Sequence, residues 1–323
     1  MQIICMSLVK LILGQSPNNE MVRFGFKIGL GMFLCRMLWA ATIVWAEPIP
    51  VFVSIIPQKT FVEKIGGHLV DVSVMVPPGA NPATYEPKPS QMVALSRARI
   101  FYAVGVPFEK VWLSKMASVN PEMRIVHTER GVEKMPMATH IFEDQDLQKG
   151  TTNQADKHDH GVMDPHIWLS PPLVMVQARN ILTSLLYVDP ENRSLYETNY
   201  RNFILEIVTL DEEILRVFAN KGKDIAFIVF HPAWGYFAEA YGLRQIPIEI
   251  EGKEPKPAQL RRLIEYAREK GVKVVFVQPQ FSTKSAKVIA EAIGGQVVFA
   301  DPLAPDWSRN LQEQAKKFKD VLE

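Results

Sequence analysis

The sequence predicts an α/β protein in which two Rossmann-like lobes, each built on a parallel sheet, are joined by one long rigid helix. Three observations predict this fold. Short apolar segments alternate with amphipathic segments in both halves of the chain, which is typical of βαβ units. Helix-compatible sequence runs from Pro190 to about Asn220 without an internal glycine or a second proline. The chain has 323 residues, enough for two modest lobes.

Residues 1–46 have the features of a cleavable signal peptide. Two basic residues after Met21 precede an apolar run that ends at Ala46, and this order is typical of secretory signals. Met21 is therefore an alternative start of translation. A membrane-anchoring helix is the competing interpretation, because about 18 apolar residues approach the length that spans a bilayer, but Arg36 in the middle of the run favours cleavage. We expect the mature protein, residues 47–323, to be periplasmic.

The composition of the mature chain argues against a nucleic-acid site and limits the ligands that a metal site can use. Removing residues 1–46 leaves 32 of the 36 basic and 34 of the 35 acidic side chains, a formal charge of −2. This balance argues against a nucleic-acid binder, which needs a concentrated basic face. Both cysteines, Cys5 and Cys35, lie in the removed segment. A metal site in the mature protein must therefore use nitrogen and oxygen ligands.

The first lobe is predicted to span residues 47–188. Its strands are expected at residues 51–56, 71–76, 100–104 and 124–127, and its helices at residues 58–66, 91–97, 108–118 and 171–187. We expect Ser90 to cap the second of these helices, because a hydroxyl oxygen accepts a hydrogen bond from a free N–H at a helix start. Residues 143–160 have almost no apolar side chains and cannot bury a core, so we expect a polar loop there.

The linking helix is expected at residues 189–221, where Phe203, Ile207, Leu210, Ile214, Leu215 and Phe218 recur at helical spacing. A helix of about thirty residues is about 45 Å long, which indicates a rigid strut.

The second lobe is predicted to span residues 222–323. Its strands are expected at residues 224–230, 245–250, 272–277 and 296–300, and its helices include residues 258–269 and 284–292.

Polar residues stand where predicted strands end. His231 and Asp301 each follow an apolar strand of the second lobe, and His166 lies where the polar loop gives way to a helix. Open parallel sheets bind ligands beyond the carboxyl ends of their strands, and two imidazoles with one carboxylate suit zinc or manganese. The alternative is structural: a hydrogen-bonded histidine after a strand, and an aspartate that forms a turn before proline.

Four segments carry a family resemblance. They are PPGANPATYEPKPSQ at residues 77–91, DPHIWLSP at residues 164–171, FHPAWGYFAEAYGL at residues 230–243, and FVQPQFSTKSAKVIAEAIGG followed by FADPL within residues 276–303. From about Val51 to its end, the chain resembles the zinc- and manganese-binding solute-binding proteins of ABC transporters (cluster A-I, the ZnuA/TroA type). The resemblance implies two α/β lobes bridged by a long helix.

The resemblance also implies that His166, His231 and Asp301 are metal ligands. One position departs from the family pattern. The family's first ligand is a histidine in the motif Gly-x-x-Pro-His-x-Tyr-Glu-Pro, and Ala83 stands at that position. Three ligands leave a zinc ion one open position, for water or a substitute. The candidate substitutes are Glu86 from the same loop, Gln278 and Gln280 after a strand, and His158 and His160 from the polar loop.

We therefore expect a monomeric periplasmic protein, not an enzyme, that captures zinc or manganese between its lobes and delivers it to the membrane permease of an ABC importer. The ligand types permit both metals. Two alternatives stay open. A divergent member of the family would bind another ligand, and a zinc metallohydrolase would also use two histidines, one carboxylate and an open water position.

Overall fold

The computed structural model describes residues 47–138, 162–219, 225–249 and 255–322. The predicted signal peptide and the predicted polar loop at residues 143–160, with His158 and His160, lie outside the described residues. Residues Pro48–Glu323 form one compact unit.

The first sheet is parallel and has the strand order β2-β1-β3-β4. It contains β1 (Ile49–Val53), β2 (Val70–Val74), β3 (Ile100–Ala103) and β4 (Arg124–His127). Every residue of β3 is buried, as is typical of a parallel strand covered on both faces. The four strands predicted from the alternation of apolar segments are thus present, within a few residues of their expected bounds.

The helices of the first lobe are α1 (Ile56–Gly66), α2 (Pro89–Leu95), α3 (Pro107–Val119) and α4 (Pro171–Val188). Each has a proline in its first turn, where the missing N–H is not needed. The prediction that Ser90 caps α2 is wrong. The capping residue is Lys88, whose N–H donates to Gln91 Oε1 at 2.9 Å, and Pro89 begins the helix.

The long helix predicted between the lobes is present as α5 (Arg193–Phe218). It has 26 residues, about 39 Å at 1.5 Å per residue. The first residues of the predicted stretch instead form a short 3-10 turn at Pro190–Asn192. The buried face of the helix consists of Tyr196, Phe203, Ile207, Leu210, Ile214 and Phe218, whereas Leu215 is exposed. The helical spacing therefore predicted most of this face.

The second sheet is also parallel and has the equivalent strand order, β6-β5-β7-β8. It contains β5 (Ile225–Val229), β6 (Leu243–Pro247), β7 (Val274–Val277) and β8 (Gln296–Phe299). The accompanying helices are α6 (Gly235–Ala240), α7 (Pro257–Glu269), α8 (Lys284–Ala292) and α9 (Trp307–Leu322). In the described ranges, no helix has both the length and the apolar character needed to cross a membrane.

The two lobes are connected by packing and by hydrogen bonds. Trp168 Nε1 donates to Pro302 O at 2.7 Å, Trp307 Nε1 donates to Trp168 O at 2.6 Å, and Tyr236 OH donates to Asp164 O at 3.0 Å. α5 packs against α1, α4 and α9. The larger hydrophobic core includes residues of the first sheet, α5 and strands β5 and β7. Because the lobes share this core, we expect them to move little relative to one another.

Candidate metal centre

His231 stands just beyond the carboxyl end of β5, at the crevice between β5 and β7. The strand order reverses there, and open α/β sheets bind ligands at such switch points. The Gln278 side chain holds the His231 backbone, because its Nε2 donates to His231 O (2.7 Å) and its Oε1 accepts from His231 N (3.1 Å). Gln278 is fully buried and uses both polar side-chain atoms in this way. Its predicted role as a substitute ligand therefore has no support in the geometry.

A buried carboxylate orients the His231 ring. His231 Nδ1 donates to Glu249 Oε1 at 2.5 Å, and the ring stacks on Phe281 with centroids 4.9 Å apart. Glu249 is 4% exposed. Sequence reasoning missed this residue because it placed Glu249 inside a strand at residues 245–250. The strand ends at Pro247, so Glu249 lies beyond the carboxyl end of a strand. The rule that parallel sheets bind ligands beyond these ends could therefore have found it.

The His166 ring has an equivalent carboxylate partner, supplied by its own loop. Asp164 Oδ1 accepts from His166 Nδ1 at 2.6 Å and from the His166 backbone N–H at 2.9 Å. The short 3-10 turn at Ile167–Leu169 follows directly. This turn carries Trp168, whose ring lies 5.1 Å from the His166 ring and whose indole N–H bonds to the second lobe. The loop is therefore fixed from both sides.

The two imidazole rings meet across the cleft, with their Nε2 atoms 3.3 Å apart. Ionised carboxylates only accept hydrogen bonds, so each Nδ1 carries the proton donated to its carboxylate. In neutral rings each Nε2 then presents a lone pair, and the two lone pairs lie close together. A shared cation relieves this repulsion. Two nitrogen atoms bound at about 2.0–2.1 Å to a tetrahedral zinc ion lie about 3.3 Å apart.

Burial favours the neutral form of His166. The side chain is nearly inaccessible, and burial lowers the pKa of His166 below its ordinary value of 6.5, more than the Asp164 carboxylate raises it. Burial has this effect because it disfavours a charged imidazolium. A neutral imidazole at neutral pH is the form that binds a metal ion.

The two histidines border a cavity of about 240 Å³. Most of its wall is apolar, with Val106, Met137, Trp168, Phe281, Pro302 and Leu303 among the lining residues. Glu249 and Gln280 are polar side chains in the same wall. A concave, mainly apolar site with a few convergent polar groups is typical of a small-ligand pocket.

Ala83 belongs to the same wall, on a loop that its neighbours hold in place. The Ala83 N–H donates to Asn81 Oδ1 at 2.8 Å, and Pro82 O accepts from the Phe108 N–H at 3.2 Å. Tyr85 packs edge-on against Phe108 at 6.1 Å and donates to Gln91 Oε1 at 2.6 Å. A methyl group therefore stands at a defined place in the cavity.

Asp301 lies beside this cleft. Its Oδ1 accepts hydrogen bonds from Gln280 Nε2 (3.0 Å) and Leu303 N (2.9 Å), both of which belong to residues of the cavity wall. Within the described ranges, no three or more His, Cys, Asp or Glu side chains are grouped as a metal site. The role of Asp301 as a ligand therefore stays a prediction. Glu86 is exposed and is not among the residues that line the cavity.

Known proteins resemble this chain in sequence and in fold. The profile of the family described as "Zinc-uptake complex component A periplasmic" (ZnuA) matches residues 51–321. The high-affinity zinc uptake system protein ZnuA of Bacillus subtilis is 28% identical over 280 residues, which cover 85% of each chain. The zinc-binding protein AdcA of Streptococcus pyogenes is 27% identical over 284 residues. That match covers 85% of this chain and 54% of AdcA, about half of that protein's length.

Solved structures with the same fold include a crystal structure of ZnuA and a zinc-bound 138–173 deletion mutant of ZnuA. Both are 42% identical to this chain and cover 85% of it. The first has a TM-score of 0.76 and is covered completely, and the second has a TM-score of 0.77 and is covered to 98%. The arrangement of two parallel sheets and a long helix is therefore shared with these proteins.

Proposed function

Because this chain belongs to the family of periplasmic zinc-uptake components of the ZnuA type, we propose that it captures zinc between its two lobes and delivers it to the membrane permease of an ABC importer. The metal is the cargo rather than a resident cofactor. The family is a transport component rather than an enzyme, so we prefer transport to hydrolysis as the function of the cleft.

One observation carries this proposal. His166 from the first lobe and His231 from the second bring their Nε2 atoms to 3.3 Å, the separation that a tetrahedral zinc ion requires of two nitrogen ligands. Each ring is held by a buried carboxylate, Asp164 or Glu249. Carboxylates in this position fix the tautomer of the histidine and make its Nε2 a stronger metal ligand. The site therefore needs little rearrangement to bind an ion.

Asp301 completes the ligand set that we propose. Its Oδ1 accepts hydrogen bonds from Gln280 and Leu303, two residues of the cavity wall. Zinc is favoured over manganese because imidazole nitrogen suits zinc, whereas manganese prefers oxygen ligands. Manganese remains a second candidate, since one carboxylate and open positions would also serve it.

The direct test is a calorimetric zinc titration of metal-stripped residues 47–323, which contain the whole compact unit. We expect one tight site, lost in a His166→Ala/His231→Ala double variant. The matched control is His68→Ala, which removes an exposed histidine that is absent from the cavity wall. Equal zinc binding by the double variant and the native protein would reject the cleft as the site. A manganese titration of the same samples ranks the two metals.

The mechanical part of the proposal concerns motion on loading. A shared core, α5 and several hydrogen bonds connect the lobes. We therefore expect zinc to order the loops at the cleft rather than to swing the lobes together. Solution scattering on stripped and zinc-loaded protein should give nearly the same radius of gyration. A large closure would contradict this expectation.

A further inference from the structure

The cavity beside the two histidines is larger than a metal ion needs. Its volume is about 240 Å³, whereas a water molecule occupies about 30 Å³ in the liquid and a cavity of about 150 Å³ holds a benzene ring. Most of the wall is apolar, including the aromatic side chains Trp168 and Phe281. A wall of this kind offers few hydrogen bonds to water and good contact to a flat organic ring.

The charge at the site also has a consequence for any further ligand. The Asp164 and Glu249 carboxylates already balance the two positive charges of a zinc ion held by His166 and His231. If Asp301 also binds the ion, the cluster carries one net negative charge. A further anion would then be buried next to carboxylates, which is costly at low dielectric. A neutral donor avoids this cost.

From these features we infer that the cleft takes zinc together with a small neutral nitrogen donor, an imidazole-bearing molecule, that binds the ion from the cavity at Ala83. The inference rests on the proposed function and names the form of the cargo more narrowly. The donor nitrogen occupies a coordination position of the zinc ion, and the rest of the ring packs against the apolar wall. The anchored loop at Asn81 holds Ala83 at a place where a small side chain leaves room for the ring.

The experiment measures the zinc affinity of metal-stripped residues 47–323 by competition with a chromophoric chelator, at fixed pH and fixed free zinc, with and without imidazole. We expect millimolar imidazole to lower the apparent zinc Kd by about tenfold. Acetate at the same concentration should have no such effect, because it is an anion. A protein side chain as the remaining donor, or a bound water that the cavity does not let imidazole replace, predicts that imidazole changes nothing.

Two substitutions of Ala83 distinguish the effect of a donor nitrogen from the effect of free volume in the cavity. Ala83→His supplies an imidazole from the chain, so we expect tighter binding of zinc alone and loss of the imidazole effect. Ala83→Leu fills the cavity without a donor, so the imidazole effect should disappear. The visible spectrum of the cobalt-loaded native protein should change on adding imidazole, and that of Ala83→His should not.

The outcomes distinguish this inference from the function on which it rests. Tight zinc binding that imidazole does not improve, in native protein and both Ala83 variants alike, overturns the inference and leaves the zinc-capture function standing. If the native protein binds zinc no better than His166→Ala/His231→Ala, with or without imidazole, the proposed function fails as well.

Discussion

The two sheets have the same strand order, but they use the crevice between their central strands differently. In the first lobe this crevice lies between β1 and β3 and is closed by Glu109 from α3. The Glu109 carboxylate accepts from Ser54 Oγ at 2.6 Å, from Val104 N at 2.9 Å and from Gly105 N at 2.8 Å. In the second lobe the crevice lies between β5 and β7, and Gln278 holds the His231 backbone there.

The difference shows how one topology can serve two purposes. In the first lobe the carboxyl group of Glu109 accepts its hydrogen bonds from residues of its own lobe, and Glu109 is only 3% exposed. Gly105 has a φ of 88°, a left-handed conformation that favours glycine, and this turns its N–H towards the carboxylate. In the second lobe a neutral amide satisfies the backbone and leaves the His231 ring free to face the other lobe. The first crevice is therefore closed within its own lobe, whereas the second carries a histidine ring that faces the other lobe.

The largest effect is expected from a substitution just beyond the central strand of the second sheet, and a substitution just beyond the central strand of the first sheet should have little effect. His231→Ala should weaken zinc binding by about a thousandfold, roughly 4 kcal/mol, because one of the two facing imidazoles is lost. Ser54→Ala should leave zinc affinity within about twofold, since neither Ser54 nor its partner Glu109 lines the cavity beside the histidines. Calorimetry on both variants measures this, and similar losses would mean that both crevices serve the metal.

A pH titration of stability sharpens the comparison in the first lobe. Burial raises the pKa of Glu109 from 4.5 to about 7, against the lowering effect of its hydrogen bonds. The folded state therefore keeps the proton longer than the unfolded chain. The stabilisation is complete below pH 4.5 and is lost as the pH rises to 7. The lost stability amounts to about 3 kcal/mol.

Denaturant unfolding of native protein and Glu109→Gln measures this effect. Relative to the variant, the native free energy of unfolding should fall by about 3 kcal/mol between pH 4.5 and pH 8. Groups other than Glu109 affect both proteins equally and cancel in the difference. A constant difference over this range would mean that Glu109 is ionised throughout.

The reciprocal substitution in the second lobe is Gln278→Glu. A carboxylate accepts the His231 N–H but cannot donate to His231 O, and it places a charge in a fully buried position. We expect the free energy of unfolding at neutral pH to fall by about 2 kcal/mol. Zinc affinity should fall too, because the His231 backbone loses one of its two restraints. An unchanged zinc Kd would show that the backbone contacts do not position the ring.

The smallest effect is expected from the carboxylates that hold the two rings. Glu249→Gln keeps an oxygen that accepts from His231 Nδ1 but removes the charge, so zinc affinity should fall by about tenfold. Asp164→Asn should lower zinc affinity similarly, and it should also lower stability, because the uncharged Oδ1 accepts more weakly from the His166 backbone N–H as well as from the ring. Equal stability of both variants would contradict the expectation that Asp164, which also binds the His166 backbone, matters more for stability than Glu249.

Local patterns were sufficient for most of the secondary structure. The eight described strands and the long α5 follow from apolar segments and helical spacing, because period and burial are properties of short stretches of chain. The ends of the elements depend on contacts outside the local pattern, and the start of α2 and the end of β6 differ from the prediction. Ser90 does not cap α2 because Pro89 begins the helix two residues earlier than the cap pattern indicated. Glu249 was missed because β6 ends two residues before it.

The sequence by itself determined the α/β class, the two lobes, the long helix, the position of His231 beyond a strand and that of His166 before a helix. Only the tertiary structure decided that their Nε2 atoms meet at 3.3 Å, that Glu249 holds His231, and that Gln278 serves the backbone. Strand and helix periods depend on neighbours within a few residues. A contact between residues 65 positions apart in the chain depends on how two lobes pack on one core, and no local pattern records that distance.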